Sequence, residues 1–236
     1  MRVTIHQPNY LPNAGFFHKI LQCDGYVVYD TAQFVRSRFD NRNLIKTNNA
    51  KIFMTVPITR DSHFKPIAEA RVNNSTPWRE KHWKTLEGAY QKAPHFAALG
   101  PDLEEIYSAE PDVLPDMSLP IIRKLLAFFG WKGQIVRASE LPLDRSLRST
   151  DAIIDILRAV GATSYLAGAS SKKYLEEEAF ARSGIALEYH HFAPPVYRQL
   201  GEAFIPNLCA LDLVFNEGPA AREILSVSSS GRGRSS

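Results

Sequence analysis

Hydrophobic and polar positions alternate along the chain in a pattern typical of an α/β protein. Short apolar or alternating runs predict strands at 3–6, 25–30, 134–137, 163–167 and 185–192. Amphipathic segments between them predict helices at 14–22, 121–129, 151–160 and 172–182. Because strand, helix and strand follow one another, the pattern favours a mostly parallel sheet flanked by helices.

The middle of the chain is less regular. An apolar run at 52–57 predicts a buried strand, and alternation over 67–72 predicts another. Thr76 and Pro77 mark the start of a helix, because threonine caps helices and proline fits the first turn.

The irregular stretch near 60–118 is rich in Trp, His and Pro, which indicates an inserted subdomain or lid. Since no Pro/Gly/Ser-rich linker interrupts residues 1–225, we interpret them as a single domain. The low-complexity tail at 226–236 is expected to be disordered.

Composition excludes several classes of protein. The chain has 236 residues and a net charge of +3, which is too small to argue for DNA binding. No run of about 18 apolar residues predicts membrane insertion, and the first residues lack the apolar core of a signal peptide. Cys23 and Cys209 form no metal or disulfide pattern, so we expect no metal site and a cytoplasmic protein.

The first candidate site is the loop that joins the first strand to the first helix. It concentrates His6, Gln7, Asn9 and Tyr10. Ligands of open parallel sheets bind where strands end and helices begin, and helix amino termini attract phosphate. The alternative is a turn, stiffened by its two prolines, whose polar groups satisfy one another.

The second candidate site follows the second strand. Asp30 lies at the strand end, where a carboxylate could orient a sugar hydroxyl or act as a base. Gln33 follows it, and Asn41, Arg42, Asn43 and Lys46 fall within six residues. Guanidinium and ammonium groups bind phosphate. The alternative is a solvated basic hairpin in which Asp30 caps a turn.

The carboxyl-terminal third holds a third set of polar residues, around 189–191, 197–199 and 212–218. Neighbouring side chains of a strand point to opposite faces, so His190 and His191 cannot clamp a metal together. The sequence contains no GxSxG, P-loop or GxGxxG motif. Common hydrolases, NTPases and dinucleotide-binding enzymes are therefore not indicated.

Several of these motifs closely resemble the WbqC-like protein family, and the resemblance extends to about Gly218. The motifs that carry it are His6-Gln7-Pro8-Asn9-Tyr10-Leu11-Pro12, Gly15-Phe16-Phe17-His18-Lys19-Ile20, Asn41-Arg42-Asn43, Ser164-Tyr165-Leu166-Ala167-Gly168 and Leu211-Asp212-Leu213-Val214-Phe215-Asn216-Glu217-Gly218. This family occurs in bacterial gene clusters for surface polysaccharides such as O-antigen, and some members are associated with adding glycine or a similar acyl group to an amino sugar.

The resemblance implies a set of site residues. His6, His18 and Asp30 are the expected catalytic residues, with either histidine as the base. The expected substrate-binding residues are Gln7, Asn9, Tyr10, Lys19, Gln33, Asn41, Arg42, Asn43, Lys46, Tyr174, Tyr197, Gln199, Asp212 and Asn216.

The resemblance implies a transferase that forms an amide on an amino sugar or a similar amine. The substrate is expected to be a small, phosphate-bearing molecule. The acyl donor could be a carrier thioester, an aminoacyl-tRNA or an adenylate, so an acyl-carrier protein or a tRNA is a candidate partner. Two alternatives stay open, namely a non-catalytic protein that binds a nucleotide-sugar or glycan, and an RNA-contacting module.

Overall fold

The computed structural model describes residues 1–47 and 50–227. Within them, five parallel strands form one sheet in the order β5-β2-β1-β6-β7. The strands are β1 (Arg2–His6), β2 (Gly25–Val28), β5 (Gln134–Arg137), β6 (Ser164–Ala167) and β7 (Ala186–Tyr189). The predicted α/β fold with a parallel sheet is confirmed.

Helices cover both faces of this sheet, as parallel sheets require. They are α1 (Ala14–Ile20), α2 (Trp78–Tyr90), α3 (Gly100–Ser108), α4 (Leu114–Phe128), α5 (Ser149–Ala159), α6 (Glu177–Ser183), α7 (Ala210–Glu217) and α8 (Ala221–Val227). Val3, Ile5 and Val27 pack on the side of α5 and α6. Tyr26 and Val28 point to the opposite side, where α1, α4, α7 and α8 bury their apolar faces.

The chain leaves the sheet between β2 and β5. It first forms an antiparallel hairpin of β3 (Arg42–Thr47) and β4 (Ala50–Thr55), and then α2, α3 and α4. The stretch near 60–118, for which the sequence predicts an inserted subdomain, lies in this excursion. Its helices share a continuous hydrophobic core with α1 and α7, so they add to the layer on one face of the sheet.

Four details of the predicted elements are corrected. Residues 52–55 of the predicted strand at 52–57 belong to β4, which is mostly exposed because only one face of the hairpin meets the core. Residues 67–69 form a single 3-10 turn rather than a strand. Helix α4 begins seven residues before the predicted start at 121. The predicted helix at 172–182 is a 3-10 turn over 169–173 followed by α6.

Two further features concern the ends of elements. His190 and His191 follow β7 rather than lying in it; His190 is buried and His191 is exposed. Residues 226 and 227 of the predicted tail end α8, and the rest of that tail lies outside the described residues. Within the described part of the chain, no helix is long and apolar enough to cross a membrane.

Candidate functional site

The sheet has a topological switch point between β1 and β6. From β1 the chain builds outwards through β2 and β5 on one side, and then returns to build β6 and β7 on the other side. At such a point the connections leave in opposite directions and open a crevice at the carboxyl ends of the strands, where open α/β sheets bind ligands.

A cavity of about 570 Å³ occupies this crevice. The ends of β1, β6 and β7 supply His6, Gly168 and His190, and α1 supplies Lys19. Three further segments complete the lining, namely the loop before α1, residues 37–40, and Phe192 with Asn207. The cavity is therefore built from segments spread over 200 positions of the chain.

The loop between β1 and α1 is shaped by its own sequence. Asn13 caps α1, since its side-chain Oδ1 accepts the N–H of Phe16 at 3.1 Å. The N–H of Asn9 donates to the carbonyl of Gln7 at 2.9 Å, which closes a tight turn. This turn carries Gln7 and Asn9 past the end of β1, where both line the cavity.

Lys19 is an uncompensated buried cation. Its side chain is on α1 and the residue is only 3% exposed. No hydrogen bond or ion pair to its ammonium group is found among residues 1–47 and 50–227. Burial lowers the pKa of Lys19 from 10.5 to about 8. A buried ammonium without a partner beside a cavity is suited to bind an anionic group of a ligand.

His6 is held as a neutral imidazole. Its Nδ1 lies 3.0 Å from the carbonyl oxygen of Gln7, so Nδ1 carries the proton and donates it to that oxygen. The Nε2 atom then has a free lone pair. Burial, together with the nearby charge of Lys19, lowers the pKa of His6 to about 3. The ring is therefore an acceptor of hydrogen bonds at neutral pH and a weak base.

His18 and His190 form a buried pair at the same cavity wall. Nδ1 of His18 lies 2.6 Å from Nε2 of His190, and the amide of Gln22 also donates to His18 Nδ1, at 3.1 Å. The shared proton is therefore on His190. Burial lowers the pKa of both rings, to about 3 for His190, so neither is charged at neutral pH.

Asp40 adds a carboxyl group to this cavity. Burial raises its pKa to about 6, although nearby Arg38 and the N–H of Val35 oppose the rise. Arg38 is exposed and lines the same cavity. Arg38 and Asp40 directly precede Asn41, Arg42, Asn43 and Lys46, which are predicted as substrate-binding, but those four residues do not line the cavity.

A second cavity, of about 250 Å³, adjoins the first. Both are lined by His6, Gln7, Lys19 and Gly168. Its other walls are mainly the side chains of Tyr29, Tyr165 and Tyr174, with Ile5 and Ile153. Lys19 and His6 thus stand at the boundary of two compartments.

Asp30 has a different environment from the one its expected catalytic role implies. It is completely buried, and its carboxylate accepts hydrogen bonds from Arg137 Nε at 2.7 Å, Ser139 N at 2.9 Å and Ser139 Oγ at 2.7 Å. These bonds join the ends of β2 and β5. Asp30 lines neither cavity.

Other predicted residues lie in the core. The hydroxyl of Tyr10 contacts Tyr107 and lies 2.9 Å from Nδ1 of His82. Asn41 donates to the carbonyl of Val56 at 2.8 Å. Asn43 donates to the carbonyl of Leu11 at 2.7 Å and so ties the hairpin to the loop between β1 and α1.

A separate polar cluster surrounds Asp212. Its carboxylate accepts the hydroxyls of Tyr90 at 3.0 Å and Tyr197 at 2.8 Å, and Asn216 donates to its main-chain oxygen at 2.7 Å. Lys46 donates to Gln199 Oε1 at 3.4 Å and to the carbonyl of Ala203. The cluster joins the hairpin, α2 and α7, and its residues do not line the two cavities.

Three predicted residues lie at the surface. The guanidinium of Arg42 sits 4.4 Å from the centre of the Phe53 ring on the hairpin. Gln33 donates to the carbonyl of Phe64 at 3.1 Å. Tyr174 is exposed and borders the smaller cavity.

The structure thus brings together His6, Gln7, Asn9, Lys19 and, at the smaller cavity, Tyr174. His18 joins them through His190. The lining residues that were not predicted from the sequence include Arg38, Asp40, Gly168, His190, Tyr29 and Tyr165. Strand ends were the available signal, since Tyr29, Gly168 and His190 each directly follow a strand of the sheet.

No group of three or more His, Cys, Asp or Glu side chains in the described ranges is placed to hold a metal ion. Both cysteines are buried, and burial raises the pKa of each thiol to about 12. A thiol with that pKa is not a nucleophile at neutral pH.

Comparison with known proteins identifies the family. The sequence profile of the WbqC-like protein family matches residues 7–224. The uncharacterized protein Rv1507c of Mycobacterium tuberculosis is 30% identical over 226 residues, which cover 95% of this chain and 97% of that relative. No solved structure matches the chain. A match over nearly the whole length places the protein in this family: the chain belongs to the WbqC-like protein family.

Proposed function

We propose that this protein is a transferase that forms an amide bond on the amino group of an amino sugar or a similar amine, in a bacterial pathway to a surface polysaccharide or small molecule. One observation carries the proposal. The unpartnered ammonium of Lys19 and the carboxyl group of Asp40, whose pKa is raised to about 6, line a single cavity at the switch point of the sheet. Acyl transfer to an amine needs both a proton acceptor and a stabiliser of negative charge.

Asp40 is the proton acceptor in this proposal. With a pKa of about 6 it is mostly ionised at neutral pH, yet it is a stronger base than an ordinary aspartate. It removes one proton from the substrate ammonium, and the freed amine attacks the carbonyl carbon of the acyl donor. His6 and His18 are weaker candidates than the sequence indicates, because burial lowers the pKa of both.

Lys19 stabilises the charge that develops on the carbonyl oxygen. Its ammonium is mostly protonated at neutral pH and is shielded from water, which strengthens its attraction for an oxyanion. When the tetrahedral intermediate collapses, the bond to the donor's leaving group breaks and the carbonyl forms again. As that bond breaks, Asp40 passes the first proton to the leaving group. The regenerated carboxylate of Asp40 then accepts the second proton from the new amide nitrogen and releases it to water.

The rest of the lining suits a polar sugar-like substrate. Asn9, Asn13 and Asn207 offer amide donors and acceptors, and Phe16 and Phe192 offer apolar ring surface. Sugars present hydroxyl groups around apolar C–H faces, so this combination matches them. The donor is a carrier thioester, an aminoacyl-tRNA or an adenylate, which makes an acyl-carrier protein or a tRNA a candidate partner.

The proposal is tested by incubating the purified protein with nucleotide-linked amino sugars and a panel of the three glycine donors. Mass spectrometry should detect a glycyl addition to the sugar. Asp40→Asn and Lys19→Met should each abolish it. Asp61→Asn and Lys51→Met remove exposed charges outside both cavities and are the matched controls. Transfer that persists in Asp40→Asn would contradict the assigned base.

The second candidate is a non-catalytic protein that binds a nucleotide-sugar or glycan. The three asparagines and three phenylalanines that line the larger cavity favour it as well, because they serve binding without any chemistry. The same panel separates the two functions. Calorimetric binding of an amino-sugar nucleotide, with no product from any donor, would support binding alone.

A further inference from the structure

The smaller cavity contains hydroxyl groups that have no partner in the protein. It is lined by Tyr29, Tyr165 and Tyr174, and no hydrogen bond to any of their hydroxyls is found among the described residues. Tyr165 is the most informative, since it is only 4% exposed. The Tyr165 hydroxyl is not one of the buried polar atoms that lack a partner, so it opens into the cavity that the residue lines. An unpaired tyrosine hydroxyl in this position is available to donate to a bound group.

These hydroxyls lie close to one another. Burial raises the pKa of Tyr165, and the nearby Tyr174 and Tyr29 raise it further. The ring of Tyr165 is fixed by stacking on Phe180, at 5.9 Å between ring centres. Its hydroxyl is thus a preorganised donor rather than a mobile one.

Among the described residues, the charge that lines the smaller cavity is positive. Lys19 contributes an ammonium without a carboxylate partner, and Gln7 contributes an amide. None of the described residues that line this cavity is Asp or Glu. Several donors and one cation around about 250 Å³ match an anion with several acceptor oxygens. A phosphate group has three or more such oxygens, whereas a carboxylate has two and would leave donors unsatisfied.

We propose that the smaller cavity is a phosphate-binding subsite, in which Tyr165 and Tyr29 donate to phosphate oxygens and one N–H of the Lys19 ammonium faces the phosphate, while another serves the carbonyl oxygen in the larger cavity. The inference deepens the proposed function, because it assigns a substrate group to the same site. The phosphate belongs either to the nucleotide of the amino sugar or to the donor, as in an adenylate. In both cases the reacting amine and carbonyl lie in the larger cavity, on the other side of Lys19.

The test measures binding rather than turnover. Isothermal titration calorimetry should show that the wild-type chain binds pyrophosphate, and that Tyr165→Phe binds it about tenfold more weakly, as expected for the loss of a hydrogen bond to a charged group. Tyr165→Phe keeps the stacked ring. Tyr189→Phe is the matched control, since its hydroxyl contacts Glu177 outside the cavity. Tyr29→Phe should repeat the loss, and serves if Tyr165→Phe does not fold.

Titration with UDP and with AMP identifies the source of the phosphate. Weaker binding of UDP by Tyr165→Phe assigns the subsite to the nucleotide-sugar, and weaker binding of AMP assigns it to the donor. The inference is overturned if the wild-type chain binds none of the three compounds, or if Tyr165→Phe and Tyr29→Phe bind them as the wild type does. If the two variants bind the three compounds as the wild type does, but the wild type transfers glycine, only the phosphate subsite is wrong. If the variants lose binding, but the wild type transfers no glycine, only the proposed transferase activity is wrong.

Discussion

At the scale of single residues, the two charged groups of the larger cavity are poorly compensated by the protein. Lys19 has no partner, and Asp40 keeps a raised pKa although Arg38 lies nearby. Both groups are almost completely buried. Leaving an ionised side chain dehydrated lowers the stability of the folded state. Buried charges that the protein compensates poorly are typical of sites that bind a ligand.

Replacing Lys19 by methionine should therefore stabilise the protein. Lysine titrates near 10.5 in the unfolded chain and near 8 in the folded one. The folded state binds fewer protons between these values, so wild-type stability rises as the pH increases from about 8 to about 10.5. At pH 7 we expect Lys19→Met to raise the free energy of unfolding by about 3 kcal/mol, as measured by urea denaturation.

The same measurement at higher pH is the internal control. The gain from Lys19→Met should shrink as the pH rises through the window and disappear above it, because the wild-type lysine is then neutral in both states. Lys51→Met, an exposed substitution, should change stability at neither pH. A loss of stability in Lys19→Met at pH 7 would mean that the ammonium has a stabilising partner.

The pKa of Asp40 predicts how the activity depends on pH in the acidic range. If Asp40 accepts the proton, kcat/KM should rise with pH and reach half of its maximum near pH 6, where the carboxyl group ionises. It should fall again near pH 8 as Lys19 loses its charge. The profile is measured with the glycyl-transfer assay from pH 5 to pH 9. A rate independent of pH between 5 and 7 would exclude Asp40 as the base.

At the scale of elements, Asp30 fastens two neighbouring strands. β2 and β5 are short, and their parallel pairing covers only four residues. The carboxylate of Asp30 binds the side chain of Arg137 and the turn at Ser139, just beyond the end of β5. This clamp positions the loops that follow both strands, which is a structural role for a carboxylate at this strand end.

Asp30→Ala should destabilise the chain by about 3 kcal/mol, because it leaves Arg137 and the N–H of Ser139 without their acceptor. Chemical denaturation measures the change. Asp61→Ala removes an exposed carboxylate paired with Lys65 and should lower stability much less than Asp30→Ala does, because water screens exposed ion pairs. Equal losses in the two variants would show that the Asp30 contacts contribute no more than a surface ion pair.

Sequence patterns locate the sheet strands well and the helix ends less well. β5 is predicted to the residue, and β1, β2 and β6 to within two, because short β-branched runs between turn residues have few alternatives. The start of α4 is predicted seven residues too late. Pro115 occupies its first turn and Pro120 lies inside it, and prolines in a sequence normally indicate a break. Tertiary packing of the apolar face of α4 overrides that local signal.

At the scale of the whole molecule, the site could be predicted only in part. His6, Gln7, Asn9 and Lys19 are close in sequence, so the loop after the first strand and its helix were sufficient to select them. Tyr165, Gly168 and His190 come from more than 140 positions away. Their contribution depends on the pairing of β1 with β6, and a single sequence does not define strand order.

The same strand order predicts uneven protection from hydrogen exchange. β1 pairs with strands on both sides, whereas the mostly exposed β4 pairs with β3 alone among the described strands. Amides of β1 should exchange only through global unfolding, and those of β4 through faster local opening. Exchange followed by mass spectrometry of peptides covering each strand tests this difference. Equal protection would indicate that the hairpin opens only together with the sheet.

The central position of β1 also has a bearing on biosynthesis. The ribosome makes β1 before the other four strands of the sheet, yet one of its two neighbours, β6, emerges more than 150 residues later. Until then that edge of the nascent sheet is open, and the wall formed by Gly168 and His190 does not exist. A chain arrested before β6 would therefore contain the loop with His6 and Lys19 but would lack Gly168, which lines both cavities, so the protein can hold a substrate only after β6 has been made.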